Sequence, residues 1–600
     1  MTASARIDFS QPLSARTARL RHALGRPREV LLAHAHAQVR GVLDAVHAAA
    51  QRGHWCLGHV RYEAAAAFDA ALQTHAADGP LAWFAVHDGP LPWPEEDTGQ
   101  GPTHAAWLEW QDSLDRADFD AALARIQQAI AAGELYQVNY TAPLRGRLQG
   151  GADALFAALQ RAQPGGYAAH IDTGAQQILS VSPELFFDWQ DAPGGGAILA
   201  RPMKGTAPRG ATPAQDAALA AQLRSAPKER AENVMIVDLL RNDLARIALP
   251  HSVRVPALFA TQALPTVWQM TSDVRARTRP GTTLTDIFAA LFPCGSVTGA
   301  PKVQAMRMIR ALEPAPRGVY CGALGVVRPA GPAGADGLCA VAATFNVPIR
   351  TVVLHAQGEQ WHASCGIGSG ITADAQADAE WNEWQHKRAF VDRASVPFEL
   401  LETLALDGGQ LRHLPEHLAR LQDAAAHFAI PCDAAAMQRC LRTLTESHPA
   451  GAWRVRLLLD ATGTPRGEVC ALPPTAEPVR LALADRPFMA AHSEFVRYKT
   501  TRRAHYAALA PTAPGVFDTL LWNAAGEITE STFGNIAALV DGRWVTPPLA
   551  CGLLPGVGRA VALREGRVVQ AVLRLADIPR VRGWAFINSL RGWLAATLER

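Results

Sequence analysis

Two kinds of side chain in this 600-residue sequence could do chemistry by their type and spacing: a lysine in a turn-like setting, and glutamates in pairs three residues apart. Lys204 stands in Arg201-Pro202-Met203-Lys204-Gly205-Thr206, directly after the apolar run Ala197-Ile198-Leu199-Ala200. That context predicts the end of a strand entering a tight turn, where one amine can be held rigidly. A lysine becomes a nucleophile only when unprotonated, which needs burial or a neighbouring cation. A lysine alone in a turn would simply be solvated. Glu229 and Glu232, and far downstream Glu380 and Glu383, each fall on one face of a helix. Two such faces brought together repel unless a cation lies between them. Hard carboxylate oxygens with open water positions suit Mg²⁺ better than zinc. By spacing alone, glutamates three apart are solvated helix surface.

The elements around these residues can be read in turn. Ser182-Pro183-Glu184 lies on the first strand of a hairpin whose loop is the Gly-rich segment 193–196, with Lys204 just after the second strand. Pro227 can start the helix that carries Glu229 and Glu232 and runs on through Leu244. Phe119, Leu123, Ile126 and Ile130 fall at helical spacing, with Gly133 as a left-handed end, and 134–141 alternates like a strand. The Gly-rich loop Phe292–Lys302 leads into a helix (Val303, Met306, Ile309, Leu312) that stops before Pro314. Free N–H groups at such a helix start can hold a carboxylate or phosphate. The loop is not a P-loop, because Val303 follows the lysine where Ser or Thr is required. Gly366-Ile367-Gly368-Ser369-Gly370 likewise lacks the GxGxxG spacing.

Composition bounds the class. Hydrophobic residues at 49% and charged ones at 19% describe an ordinary globular chain, with a prior of about four domain-sized units. A net charge of +2 argues against a nucleic-acid groove or a polybasic membrane surface. The nine cysteines are scattered, without a CxxC pair, which argues for reduced thiols and a cytoplasmic setting. No apolar run is long enough to serve as a signal or a membrane span. Cys56-Leu57-Gly58-His59 has the outward form of an amidotransferase nucleophile turn. Arg61 stands where a glutamine is expected, however, and no partner His-x-Glu follows in context.

The text around the lysine carries a resemblance. Residues 201–206 are similar to the Pro-Ile-Lys-Gly-Thr motif of the aminodeoxychorismate synthase component I family, whose anthranilate synthase relatives carry alanine at the lysine position. Arg61-Tyr62-Glu63-Ala64, Gln137-Val138-Asn139, Ser182-Pro183-Glu184, Lys228-Glu229-Arg230-Ala231-Glu232-Asn233, Gly295-Ser296-Val297-Thr298-Gly299-Ala300-Pro301-Lys302 and Ala379-Glu380-Trp381-Asn382-Glu383 also resemble stretches of that family. The resemblance spans about residue 50 to Lys387. It implies that Lys204 attacks chorismate, that Glu184 is the acid–base partner, and that Glu232 and Glu383 hold Mg²⁺ with Glu229 and Glu380 assisting. It also implies substrate contacts from Thr298, Tyr320, Arg350, Gly366, Gly368 and Lys387. One departure is Gln269, where many relatives have a histidine that anthranilate synthases link to pyruvate expulsion.

From Phe398 a second pattern begins. Arg412–Leu421, Val496–Thr501, Glu527–Ile536, Gly552–Arg559 and Asn588–Gly592 resemble, in order, segments of the fold-type IV pyridoxal phosphate enzymes, aminodeoxychorismate lyase among them. The resemblance implies that Lys499 bonds the cofactor and shuttles a proton, that Glu530 pairs with the pyridine nitrogen, and that Arg420, Val557 and Gly558 hold the phosphate. Arg591 is a candidate for a substrate carboxylate. Relatives often have Thr where Gly558 stands, so one hydroxyl contact is expected to be missing.

The expected organisation follows. Residues 1–110 form the N-terminal part of a synthase module and 111–390 its chorismate-binding core. A linker occupies 391–397, and a fold-type IV lyase domain with two α/β subdomains occupies 398–600. The first module is expected as an α+β fold with a two-sheet β-core flanked by helices. The resemblance implies amination of chorismate and then pyruvate elimination to p-aminobenzoate. The expected cofactors are Mg²⁺ and pyridoxal phosphate. The expected partners are chorismate, ammonia, a separate glutamine amidotransferase subunit and a second copy through the C-terminal domain, without nucleic acid or membrane. The alternatives are an anthranilate-synthase-like first half, a transaminase second half, and a chorismate sensor without turnover.

Overall fold

In the computed structural model, which describes residues 4–13, 19–94, 106–210, 213–264, 267–358 and 360–599, the chain divides into two units, Met1–Val396 and Pro397–Arg600. The first is built on two large sheets, as expected. Along one, the order is Gly299–Ala300, Gln137–Gln149, Gln360–Ile371, Thr351–Gln357, Gln176–Ser182, Tyr167–Asp172, Ala5–Ser10 and Arg19–Leu24, with Trp107–Asp112 also on Gln137–Gln149. The other runs Met203–Pro208, Val267–Arg277, Ala197–Arg201, Leu185–Gln190, Val341–Asn346, Ala323–Pro329, Trp55–Val60, Ala82–His87 and Glu29–Ala33.

The sheets pack face to face through Phe9, Tyr167 and Ile178 of one and Leu57, Leu185 and Leu324 of the other. Helices Arg116–Ala131, Ala152–Ala162 and Ala377–Ser395 cover the outer face of the first sheet. Helices His36–Gln51, Pro227–Ala245 and Leu284–Leu291 cover that of the second. Each outer layer buries the apolar stripe of its helices, the four-layer solution open to sheets that are hydrophobic on both faces.

Strand Gln360–Ile371 shows how alternation sets the site. Ala363, Cys365, Ile367, Ser369 and Ile371 are buried. On the opposite face lie Gly366, Gly368 and Gly370, whose missing side chains leave room for the Tyr320 ring, the backbone of Tyr140 and Thr141, and the Lys204 amine from the other sheet, in that order.

The expected hairpin at 193–196 is present between the paired strands Leu185–Gln190 and Ala197–Arg201, but Ser182-Pro183-Glu184 is not on its first strand: Ser182 ends strand Gln176–Ser182 of the other sheet, and Pro183 and Glu184 lie between the strands. Lys204 itself differs from expectation. It does not follow a terminated strand but lies inside a new one, Met203–Pro208, which bends at Gly205 (φ +87°). The sequence expectation of a linker at 391–397 and a break at 110 also meets a different local structure. Residues 391–395 are the last turns of helix Ala377–Ser395, with Val391 and Ala394 buried against the first unit's core, and strand Trp107–Asp112 runs across residue 110.

The second unit has a four-stranded sheet, Gln410–Leu411, Leu400–Asp407, Ala452–Leu459 and Pro465–Ala471, backed by helices Leu414–His427 and Ala434–Ser447. An eight-stranded sheet follows, running Ile528–Ser531, Asp518–Trp522, Val479–Leu483, Gly592–Glu599, Gly583–Asn588, Asn535–Val540, Arg543–Thr546 and Val569–Gln570. All nine cysteines are free, and no helix among the described residues is long and apolar enough to cross a membrane. Cys56 lies buried in a strand, and burial pushes its thiol up to about 12, which leaves it no character as a nucleophile.

Candidate active sites

In the first unit the structure brings Lys204 and Glu184 together around Ser296. The Lys204 amine donates to the Ser296 carbonyl at 3.2 Å. Glu184 is buried, and its Oε1 has no hydrogen-bond partner among the described residues. Burial raises its carboxyl, opposed by the Ser296 hydroxyl, the Lys204 charge, the Met203 N–H and the Lys387 charge. A half-satisfied carboxyl next to an amine is equipped to give or take a proton.

Gly205 is favoured beside Lys204 by its φ of +87°, which L side chains rarely adopt, and a Cβ there would also press on the Glu229 side chain, 2.7 Å from Oε2. Gln269, the departure noted in the sequence, braces the same bend by donating from Nε2 to the Gly205 carbonyl at 3.0 Å.

The four glutamates are neighbours. Burial raises Glu229, and the charges of Glu383 and Glu380 raise it further. Glu232 is pushed up to about 7 by burial, with Glu229 and Glu383 adding to the effect and Lys204 opposing it. Burial also acts upward on Glu383, but its ion pair with Lys387 at 2.7 Å wins and holds it below the ordinary range. Glu380 accepts from Ser369 Oγ at 2.7 Å and pairs with Lys228 at 3.4 Å. Among the described residues no three acidic, His or Cys groups stand close enough to hold a metal ion. Two of the four glutamates are instead paired with lysines, Glu380 with Lys228 and Glu383 with Lys387. The donor set is all hard oxygen with mutual repulsion, which fits Mg²⁺, an ion that needs only one or two protein carboxylates.

Of the expected substrate residues, Tyr320 lies with its ring over Gly366, where a Cβ would meet ring atoms at 2.4 Å. Arg350 has a buried guanidinium bonded to Gln163, and burial pulls it down to about 10. Lys387 donates to the Gly368 carbonyl at 2.9 Å. Thr298 spends its hydroxyl on its own loop, donating to the Cys294 and Gly295 carbonyls. A cleft of about 1560 Å³ reaches Tyr320 and Gly366 but is not lined by Lys204 or the four glutamates. Ser296, Lys228 and Ser369 stand inside the sequence motifs, where nothing in the text gives them a role. Their partners lie 92, 152 and 11 residues away.

The second unit holds a cavity of about 490 Å³ lined by Lys499, Arg420, Glu530, Val557 and Arg591 together. Lys499 is pulled down from 10.5 to about 7 by burial, then by the charges of Arg503 and Arg420. Glu530 is pushed up to about 8 by burial, although Tyr506 donates to its Oε1 at 2.6 Å and the Leu554 N–H to its Oε2 at 3.1 Å.

Arg420 is held by Glu402 through two hydrogen bonds of 2.8 and 2.6 Å and donates to the Pro555 carbonyl at 3.0 Å, so two of its five N–H groups remain. Burial acts upward on Glu402, but Arg420 and His417 outweigh it and hold the carboxylate at about 2. Val557 and Gly558 open helix Val557–Arg564, so their N–H groups lie outside its internal ladder. The cavity is thus lined by several cations and by one desolvated carboxyl. That lining fits a cofactor with an anionic phosphate and a basic ring nitrogen.

Gly558 has a local cause. A Cβ there would lie 2.6 Å from the Asn588 backbone, so a threonine has no room. Arg591 is committed to Thr475 Oγ1 at 2.7 Å and the Pro473 carbonyl at 3.3 Å.

The profile of the chorismate binding enzymes matches residues 14–393, well over half of the sequence. The chain belongs to the chorismate binding enzyme family. In this chorismate binding enzyme, residues 399–598 also match the amino-transferase class IV family. It is 36% identical to aminodeoxychorismate synthase component 1 of Klebsiella aerogenes over 303 residues, 50% of this chain and 61% of that protein. It is 38% identical to anthranilate synthase component 1 of Streptomyces coelicolor over 279 residues, 46% of this chain and 51% of that protein. The chain therefore spans between half and two thirds of the length of these curated relatives. The menaquinone-specific isochorismate synthase of Escherichia coli has the same fold at 16% identity, with a TM-score of 0.50 over 66% of this chain and 89% of that one.

Proposed function

We propose that this chain makes p-aminobenzoate in two steps, amination of chorismate in the first unit and pyruvate elimination in the second. The observation that carries the reading is the Lys204 amine beside the half-satisfied carboxyl of Glu184, in a site whose anthranilate synthase relatives have alanine at the lysine position. Identity alone does not choose between the two relatives, at 36% and 38%.

In the first step Lys204 bonds C2 of the ring as the C4 hydroxyl leaves with a proton from Glu184. Ammonia then bonds C4 and the lysine departs, so hydroxyl is exchanged for amine with water as the by-product. Arg350 and Tyr320 hold a carboxylate. Glu232 and Glu383, with Glu229 and Glu380 assisting, would hold Mg²⁺, which would supply charge stabilisation for the ring carboxylate. The name "component 1" carried by relatives supports a separate ammonia supplier.

In the second unit, Lys499 would carry the proton from the amine-bearing carbon, Glu530 would pair with the cofactor's ring nitrogen, and Arg420 with the Val557 and Gly558 N–H groups would hold its phosphate. Pyridoxal phosphate bound there supplies the electron sink for the carbanion. A class IV transaminase would instead pass the amino group to a keto acid.

The test is purified protein with chorismate, ammonia, Mg²⁺ and pyridoxal phosphate, with products separated by chromatography. Wild type is expected to give p-aminobenzoate and pyruvate, Lys499→Ala to accumulate aminodeoxychorismate, and Lys204→Ala to give neither. Anthranilate as the product would overturn the reading.

A further inference from the structure

The second unit's cavity carries more positive charge than its cofactor can answer. It is lined by Arg420, Arg454, Arg456, Arg503, Arg591 and Lys499, against Glu530 as its one acid among the described residues. Arg420 is tied to Glu402 on the phosphate side, and Arg456 pairs with Glu468 at 2.7 Å. Arg503, Arg454 and Arg591 have no ion pair among the described residues, and Arg591 is already held by the Thr475 hydroxyl and the Pro473 carbonyl.

Arg503 donates to the Thr532 carbonyl, and its guanidinium lies 4.4 Å from the Tyr506 ring centroid and 5.7 Å from that of Phe533. The rings and the carbonyl fix the guanidinium beside Lys499 while leaving most of its donors unspent. Arg454 comes from strand Ala452–Leu459, where it stands opposite Ala405, and is exposed at the rim with no ion pair or hydrogen bond among the described residues. Two unanswered guanidinium groups at different depths match a ligand with two separated anionic groups.

We propose that Arg503 and Arg454 are the anchors for a dicarboxylate substrate, Arg503 taking the carboxylate nearer Lys499 and Arg454 the one toward the rim. The inference rests on the lyase reading and deepens it. The amine-bearing carbon of aminodeoxychorismate has no carboxylate of its own. Its two carboxylates sit on the far side of the ring and on the enolpyruvyl group, so the usual anchor beside the amine would not serve. A transaminase acting on an aliphatic monocarboxylic amino acid would have no use for the second arginine.

The full-length holoenzyme provides the test, with isophthalate and benzoate as probes and the cofactor's absorbance as the readout of binding. Wild type is expected to bind isophthalate at least about 10-fold more tightly than benzoate, since a charge-assisted hydrogen bond is worth roughly that factor or more. Arg454→Gln and Arg503→Gln are each expected to bring isophthalate down to about the benzoate level, with Arg503→Lys recovering part of the loss. With aminodeoxychorismate as substrate, Arg454→Gln raises KM about 10-fold and leaves kcat within about 3-fold, the signature of a lost contact made equally in ground and transition states. Equal binding of the two probes by wild type, or unchanged isophthalate binding in both Gln variants, overturns the proposal.

If Arg503→Gln fails to take up cofactor, Arg454→Gln at the exposed rim decides the matter alone. Failure of the function and failure of the anchors separate cleanly. Discrimination between the probes without p-aminobenzoate formation removes the lyase reading and keeps the anchors. p-Aminobenzoate formation with an unchanged KM in both variants does the reverse.

Discussion

The Lys204 amine lies over Gly370, where a methyl group would come within 3.1 Å of it and within 2.0 Å of the Gln137 side-chain nitrogen. The glycine is there because the lysine from one sheet must reach across to the other. Gly370→Ala is therefore expected to push both side chains aside. Amination should fall at least about tenfold at a stability cost of about 1–3 kcal/mol, the usual range for overpacking. Conversion of added aminodeoxychorismate to p-aminobenzoate should be unchanged. A variant that aminates chorismate at the wild-type rate would show that the amine works from another position.

The glutamate cluster is expected to depend on a divalent cation. Glu229 and Glu232 are raised by burial and by neighbouring carboxylates, a repulsion that a cation between the helices removes. Chelation should stop chorismate consumption while leaving the second step untouched. Glu232→Gln should lower amination roughly 100-fold even at saturating Mg²⁺, on the scale of a lost Lewis acid. Chorismate turnover in excess chelator would sink the assignment.

Much of this was legible because the informative residues are close in sequence. The glutamate pairs follow helical spacing, and the strand-like run at 134–141 and the turn at 193–196 are local patterns. What sequence could not supply is the partner brought from a distance. Gln269 reads as a missing histidine, but folding places it against Gly205, 64 residues away, where its amide braces the bend beside Lys204. Arg420 reads as a phosphate ligand, yet its position is set by Glu402 on a neighbouring strand. The segment 391–395 reads as polar connector because Asp392, Arg393 and Ser395 dominate its text. Helical periodicity instead carries Val391 and Ala394 into the core.

Lys499 should make the cofactor-free second unit less stable as pH falls. Its amine sits near 7 in the folded state against the usual 10.5, with burial as the main cause. The unfolded chain therefore binds the extra proton between those values. The penalty is absent above about pH 10.5, grows as pH drops, and is complete below about 7. Lys499→Met removes it. The variant's melting transition, identified as the one that pyridoxal phosphate shifts in wild type, should exceed wild type by several degrees at pH 6 and converge with it near pH 10.5. A constant difference across that range would mean the amine is not desolvated.

Gly558 tests whether a missing threonine is a lost contact or a structural necessity. Its Cβ position is blocked by Asn588 and Ser589 backbone atoms at 2.6 to 2.9 Å, which cannot move as a side chain can. Introducing the residue that relatives carry should therefore fail to restore a hydroxyl contact. Gly558→Thr is expected to shift the start of helix Val557–Arg564 and weaken pyridoxal phosphate binding at least about tenfold, the scale of losing one well-placed donor to a charged group. Gly558→Ala should show most of the same loss, because the clash begins at the first carbon. Titration of cofactor-free protein with pyridoxal phosphate, followed by absorbance, measures both. Tighter binding by the threonine variant would mean that the backbone at 588–589 yields, and that the glycine is a tolerated loss rather than a requirement of this packing.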